Sequence, residues 1–147
     1  MFVSHRRIRV DWGDCDPAGI VFYPNYFRWF DACTAALFEA AGLPLPRLYR
    51  EHGLKGFPLL DARASFSESS AFGADLDCES SICEWHAKTF KVRHRLARDA
   101  ALLVEGFELR ICAVPHPDDP QRIKAAPIPE IVRRVLGGVE AAKAKTS

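Results

Sequence analysis

The chain has 147 residues, 48% of them hydrophobic and 27% charged, and its 20 Lys and Arg nearly balance 19 Asp and Glu to leave +1. That describes a single globular domain, large enough to bury a core without a metal or disulfide. It excludes a generally basic nucleic-acid-binding surface. No apolar run approaches the about 18 residues that span a bilayer. The first ten residues lack an apolar stretch, so no signal peptide is expected. The five cysteines form no CxxC pair and no Cys/His cluster with metal-ligand spacing, which predicts reduced thiols, no metal site and a cytoplasmic setting.

Alternation of Ile8, Val10 and Trp12 with Arg7, Arg9 and Asp11 predicts a strand over about residues 7–12. Gly13, Asp14, Asp16, Pro17 and Gly19 then make a loop. A helix follows from about Pro24 to Ala41, with proline suited to its first position and Gly42 just past its end. It would be roughly 27 Å long. Pro44 and Pro46 block its continuation. Tyr26, Phe27, Trp29, Phe30, Cys33, Leu37 and Phe38 leave it almost no polar face, so it should be buried on most sides. Strands are expected at Ala62–Phe66, Leu76–Trp85, Phe90–Leu96 and Leu102–Val114. The last carries Leu103, Phe107, Leu109 and Ile111 on one parity. A short turn inside Arg95–Leu103 suggests an antiparallel hairpin. After a Pro- and Asp-rich loop at Pro115–Gln121, a final amphipathic helix starts near Pro129, with Ile131, Val135 and Val139 in step, and the terminal tail should fray. The outline is α+β: one antiparallel sheet wrapped around one helix, in a single domain spanning 1–147 with a helical extension at about 129–147. Such a sheet leaves edges and a face for a second chain to cover.

The acids in front of the aromatic helix are the candidate chemistry. Cys15 lies between Asp14 and Asp16, whose charges disfavour the thiolate that a nucleophilic cysteine needs. Asp16 precedes Pro-Ala-Gly, where Gly19 lets the chain turn sharply into the helix. The first N–H groups of that helix have no intrahelical acceptor and carry partial positive charge. A carbonyl oxygen placed there would be stabilised as it became negative, and a neighbouring carboxylate could attack the carbonyl or activate water. The other reading makes Asp14 and Asp16 ordinary turn residues, and the residues alone leave both open.

The run "GDCDPAGIVFYPNYFRWFDA" (Gly13–Ala32) resembles the 4-hydroxybenzoyl-CoA thioesterase family of hot-dog-fold enzymes, nearly without a break. A second match is "EW..K.F..RH" at Glu84–His94, and "RIKA" (Arg122–Ala125) matches more weakly. The resemblance implies a five-stranded antiparallel hot-dog fold that hydrolyses acyl-CoA thioesters, with no cofactor. Asp16 takes the place of the catalytic carboxylate, as nucleophile or general base. The backbone N–H of Tyr23 would polarise the thioester oxygen, and Gly19 shapes the turn. Asp31 and Trp85 are expected at the substrate, Asp31 near the ring substituent of an aromatic acyl group. Lys88 and Lys124 fall where the family holds CoA phosphates. The family also implies a homodimer or homotetramer with the pocket between chains. His86 and Ala87 replace the basic residues expected before Lys88, and Ser65–Phe72 is variable where it would line the pocket. The acyl group is therefore left between aromatic and short aliphatic, beside a non-catalytic acyl-CoA-binding protein.

Other features have plainer readings. Asp31 could pair with Arg28 three residues earlier, though an acid after its base is the weaker order. Lys91, Arg93 and Arg95 share one strand face, either solvated or attracting phosphates. His94 lies on the apolar parity and reads as a satisfied core histidine. No histidine lies in the loop before the helix, which argues against a hot-dog dehydratase.

Overall fold

A computed structural model describes residues 1–138 of the chain. Five antiparallel strands form the main sheet: β1 (Val3–Arg9), β2 (Leu59–Phe66), β3 (Asp75–Trp85), β4 (Thr89–Arg98) and β5 (Ala101–Ile111), in the order β1-β3-β4-β5-β2. A second, two-stranded sheet pairs β6 (Ala113–Pro115) with β7 (Ile123–Ala125). The long helix α1 (Pro24–Ala40) lies against the main sheet, and α2 (Leu45–His52) and α3 (Glu130–Gly137) close the far end. The chain therefore folds as α+β with the hot-dog architecture expected for it. Among the described residues, no helix is long and apolar enough to cross a membrane.

Helix α1 buries Tyr26, Trp29, Phe30, Cys33, Thr34, Leu37 and Phe38, spaced by three and four so that they form one stripe. Its other flank, with Arg28, Asp31, Ala35 and Glu39, is exposed, so in the single chain the helix is buried on one side and not on most. Two core clusters lie along the stripe. One gathers Ile8, Val10, Tyr26, Trp29, Phe30, Leu76 and Leu96 near the loop before α1. The other gathers Leu37, Phe38, Phe57, Phe90, Val132 and Leu136 under α3. At the joint, the Phe30 ring stacks on His94 at 4.8 Å and lies so close to Gly106 that a side chain there would collide with it.

Several expectations change. The first strand runs Val3–Arg9 rather than 7–12, because Trp12–Asp14 closes a 3-10 turn capped by Asp11 and Asp14. Helix α2 fills a stretch to which no element was assigned: Pro44, expected to block continuation of α1, is its N-cap, and Pro46 lies in its first turn, where a missing N–H costs nothing. The strand expected at Leu102–Val114 breaks at Cys112, whose N–H bonds to the Lys88 carbonyl. In β5 the face toward the core carries Val104, Gly106, Glu108 and Arg110, while Phe107, Leu109 and Ile111 are only half-buried on the outer face. The more apolar parity thus faces out. The β4–β5 turn falls at Asp99, in the left-handed region at φ 54°. The final helix begins as expected after Pro129, while Val139 and the terminal tail lie outside the described residues.

Candidate active site

The acidic loop folds as a miniature hairpin. The Phe22 N–H donates to the Asp14 carbonyl, Cys15 bridges Val21, and the Asp16 N–H donates to the Ile20 carbonyl. Pro17, Ala18 and Gly19 form its tip, where Gly19 adopts φ 80°, costly for any residue with a Cβ. Asp14 is the buried brace of this loop. Its carboxylate accepts from the Asp11 N–H and from Arg28 Nη2, each at 2.8 Å, and its carbonyl also accepts from Asn25 Nδ2. Arg28 is thereby committed to Asp14 and not to Asp31.

Asp16 is half-buried. Its Oδ1 accepts the Ala18 N–H at 2.8 Å, an Asx turn that fixes the carboxylate. Among the described residues, Oδ2 has no hydrogen-bond donor and no cation within ion-pair distance. The carboxylate opens on a cleft of about 290 Å³ lined by Trp12, Cys15, Pro17, Gly19 and Phe72.

The start of α1 leaves the Tyr23 N–H free. Pro24 has no N–H, and the Asn25 and Tyr26 N–H groups close 3-10 bonds to the Phe22 and Tyr23 carbonyls. The Tyr23 N–H has no acceptor among the described residues, and Tyr23 already has helical angles. It points the positive end of the helix outward. Tyr23 lines a second cleft, of about 260 Å³, with Ile20, Tyr26, Phe66, Ser67 and Glu68. The two clefts adjoin across Gly19 and Ile20, and the segment Phe66–Phe72 walls both. In the single chain Asp16 and Tyr23 do not share one cleft.

The other expected site residues lie elsewhere. Asp31 is on the exposed flank of α1, with Oδ1 2.7 Å from Arg110 Nη2. Trp85 ends β3, at the opposite end from the loop; the strand's 11 residues span about 33 Å. Its ring packs on Phe90 beneath the Arg133 guanidinium. Lys88 and Lys124 are exposed, and both belong to segments bonded to Cys112: the Lys88 carbonyl accepts its N–H, and its carbonyl accepts from Ala126. Lys91, Arg93 and Arg95 pair with Glu84 and Glu105 on the outer sheet face.

Sequence reasoning missed a buried ionic network beneath α1. Glu108 accepts hydrogen bonds from His94 Nε2 at 2.9 Å, from Arg110 Nη2 at 2.7 Å and from the Thr34 hydroxyl. Burial pushes Glu108 up, but hydrogen bonds and charge from His94 and Arg110 outweigh it and hold the carboxyl at about 2. His94 Nε2 donates to the ionised Glu108, and the Ser80 hydroxyl is hydrogen-bonded to Nδ1 at 2.7 Å. His94 is thus the satisfied core histidine expected of it. The available signal was two charged residues, Glu108 and Arg110, sharing the parity of one strand.

The model of the thioesterase-like superfamily matches residues 10–136. The 4-hydroxybenzoyl-CoA thioesterase of Pseudomonas sp. (strain CBS-3) is 38% identical over 127 residues, 82% of this chain and 88% of that protein. A solved structure of a 4-hydroxybenzoyl CoA thioesterase, an aspartate-to-asparagine mutant complexed with 4-hydroxybenzoyl CoA, is 32% identical with a TM-score of 0.85. It covers 92% of this chain and 99% of its own. A gentisyl-coenzyme A thioesterase is 29% identical with a TM-score of 0.77, over 91% and 99%. The chain belongs to the thioesterase-like superfamily, as a thioester hydrolase of the hot-dog fold.

Proposed function

We propose that the chain hydrolyses an aromatic acyl-CoA, of the benzoyl or hydroxybenzoyl type, to the carboxylic acid and free CoA. The observation that carries this is the free N–H at Tyr23, at the start of α1, beside a loop that presents Asp16 with one unbonded oxygen. The thioester oxygen accepts the Tyr23 N–H, and Asp16 attacks the carbonyl carbon or deprotonates the attacking water. Asp31 faces the ring substituent. The two relatives named for hydroxylated aromatic acyl groups support that class.

Lys88 and Lys124, with Trp85 beside them, hold the CoA phosphates. They lie at the opposite end of the sheet from Asp16, so two chains pair and CoA runs from the loop of one to the lysines of the other. The exposed Trp12, Ile20, Phe22, Tyr23, Phe66 and Phe72 around the clefts, and Leu59 and Leu60 on the edge strand β2, supply the apolar surface to be covered.

The test is thiol release from benzoyl-, hydroxybenzoyl- and short-chain acyl-CoAs, with Asp16→Asn alongside. Turnover of the aromatic thioesters and a loss of at least about 100-fold in Asp16→Asn are expected. Cleavage of aliphatic substrates alone refutes the acyl class, and full activity in Asp16→Asn refutes the mechanism.

A further inference from the structure

The outer end of the buried network reaches Asp31. Arg110 is 8% exposed and uses all three of its guanidinium nitrogens: Nη1 donates to the Phe57 carbonyl at 3.0 Å, and Nε and Nη2 face Glu108. Nη2 also donates to Asp31 Oδ1 at 2.7 Å. A guanidinium held at four acceptors has no freedom to swing away. Asp31 is the mobile partner by burial, with its side chain 68% exposed, yet it is tied to a fixed donor. The tie leaves Oδ2 as the oxygen turned to solvent, because Oδ1 is occupied.

We propose that Arg110 is a positioning residue that fixes Asp31 as an acceptor-only contact, selecting acyl rings that carry a hydrogen-bond donor at the far end. This rests on the reading that Asp31 faces the substrate. With Oδ1 taken by the buried guanidinium, Oδ2 is the oxygen left to accept a hydrogen bond. Tyr23 and Asp31 are eight residues apart, about 12 Å along α1. That span is close to a para-substituted benzoyl thioester with a hydrogen bond at each end. A ring hydroxyl would donate to Oδ2. An unsubstituted ring, or one bearing a methoxy group, would leave that oxygen without its donor. The selection is set by Glu108, Phe57 and Arg110, none of which touches the ring.

The experiment compares 4-hydroxybenzoyl-, 4-methoxybenzoyl- and benzoyl-CoA with the wild type, Arg110→Met, Arg110→Lys, Asp31→Asn and Arg110→Met/Asp31→Asn. It reads kcat/KM in the native background and Kd in the Asp16→Asn background, so a wrong role for Asp16 leaves the ratios readable. A hydrogen bond to a charged group predicts that Arg110→Met lowers the preference for the hydroxylated thioester about tenfold or more, chiefly through KM. Asp31→Asn should do the same, and the double variant should lose no more than either alone. Arg110→Lys, which keeps a buried cation and a folded core, should restore part of the preference. Equal losses on all three substrates would make Arg110 merely structural and overturn the proposal, as would additive losses in the double variant. A preference unchanged by Asp31→Asn would overturn both this proposal and the placement of Asp31, while leaving the thioesterase reading standing.

Discussion

Replacing Glu108 by glutamine removes the charge at the centre of the buried network while keeping its shape. In the folded chain the Glu108 carboxyl is held at about 2, and an unfolded glutamate titrates near 4.3. At 1.36 kcal/mol per unit, the difference is worth about 3 kcal/mol. Because the folded value is the lower one, this stability is fully present above about pH 5. It is lost progressively as the pH falls from there through about 2. The variant lacks it at every pH. At neutral pH it should also be less stable, by about 3 kcal/mol or more, because buried Arg110 is left with the exposed Asp31 as its charged partner. Urea unfolding followed by tryptophan fluorescence, at fixed protein concentration from pH 7 to pH 2.5, measures both quantities. Between pH 7 and pH 2.5 the gap between wild type and Glu108→Gln should close by about 2 kcal/mol, the remainder being lost only below about pH 2. A constant gap would show that the fold does not lower the Glu108 pKa, and a shift in favour of the wild type on acidification would show a carboxyl protonated in the fold.

Two further outcomes follow from packing. A methyl group at Gly106 would come within 2.8 Å of Phe30 Cδ2 and 2.9 Å of Cζ, so Gly106→Ala should cost about 1–3 kcal/mol and lower Tm by several degrees. An unchanged Tm would place the Phe30 ring elsewhere. Cys33, Cys78 and Cys112 are buried, while Cys15 is half-buried and Cys83 exposed. Ellman's reagent should therefore reach only Cys15 and Cys83 before unfolding and the other three only after it, and early labelling of Cys33 or Cys78 would contradict the packing under α1.

What could be read from the sequence was local. The long helix was marked by Pro24 and Gly42 and by an apolar spacing of three and four, and it runs as expected to within a residue. The acidic loop was marked by turn residues abutting that helix, and its hairpin puts Gly19 at a positive φ as the turn required. What could not be read depends on distant partners. Asp31 and Arg110 are 79 positions apart, and Thr34 and Glu108 are 74 apart. No periodicity announces such pairs. Helix α2 was hidden because proline ends a helix in mid-course but starts one well, and composition does not say which applies. The inward face of β5 was hidden for a related reason: its polar residues are buried because they are paired.

That face of β5 has a consequence for how the chain finds its fold. A strand turned over by one residue would bury Phe107, Leu109 and Ile111 and put Glu108 and Arg110 in water. Hydrophobicity alone favours that error. Only the correct register brings Glu108 opposite Val92 and Gly106 opposite His94, where every charge meets a partner and the Phe30 ring has room. The ionic network therefore acts as a proofreader of strand register, rejecting the greasier alternative, and the sheet keeps a half-apolar outer surface in return.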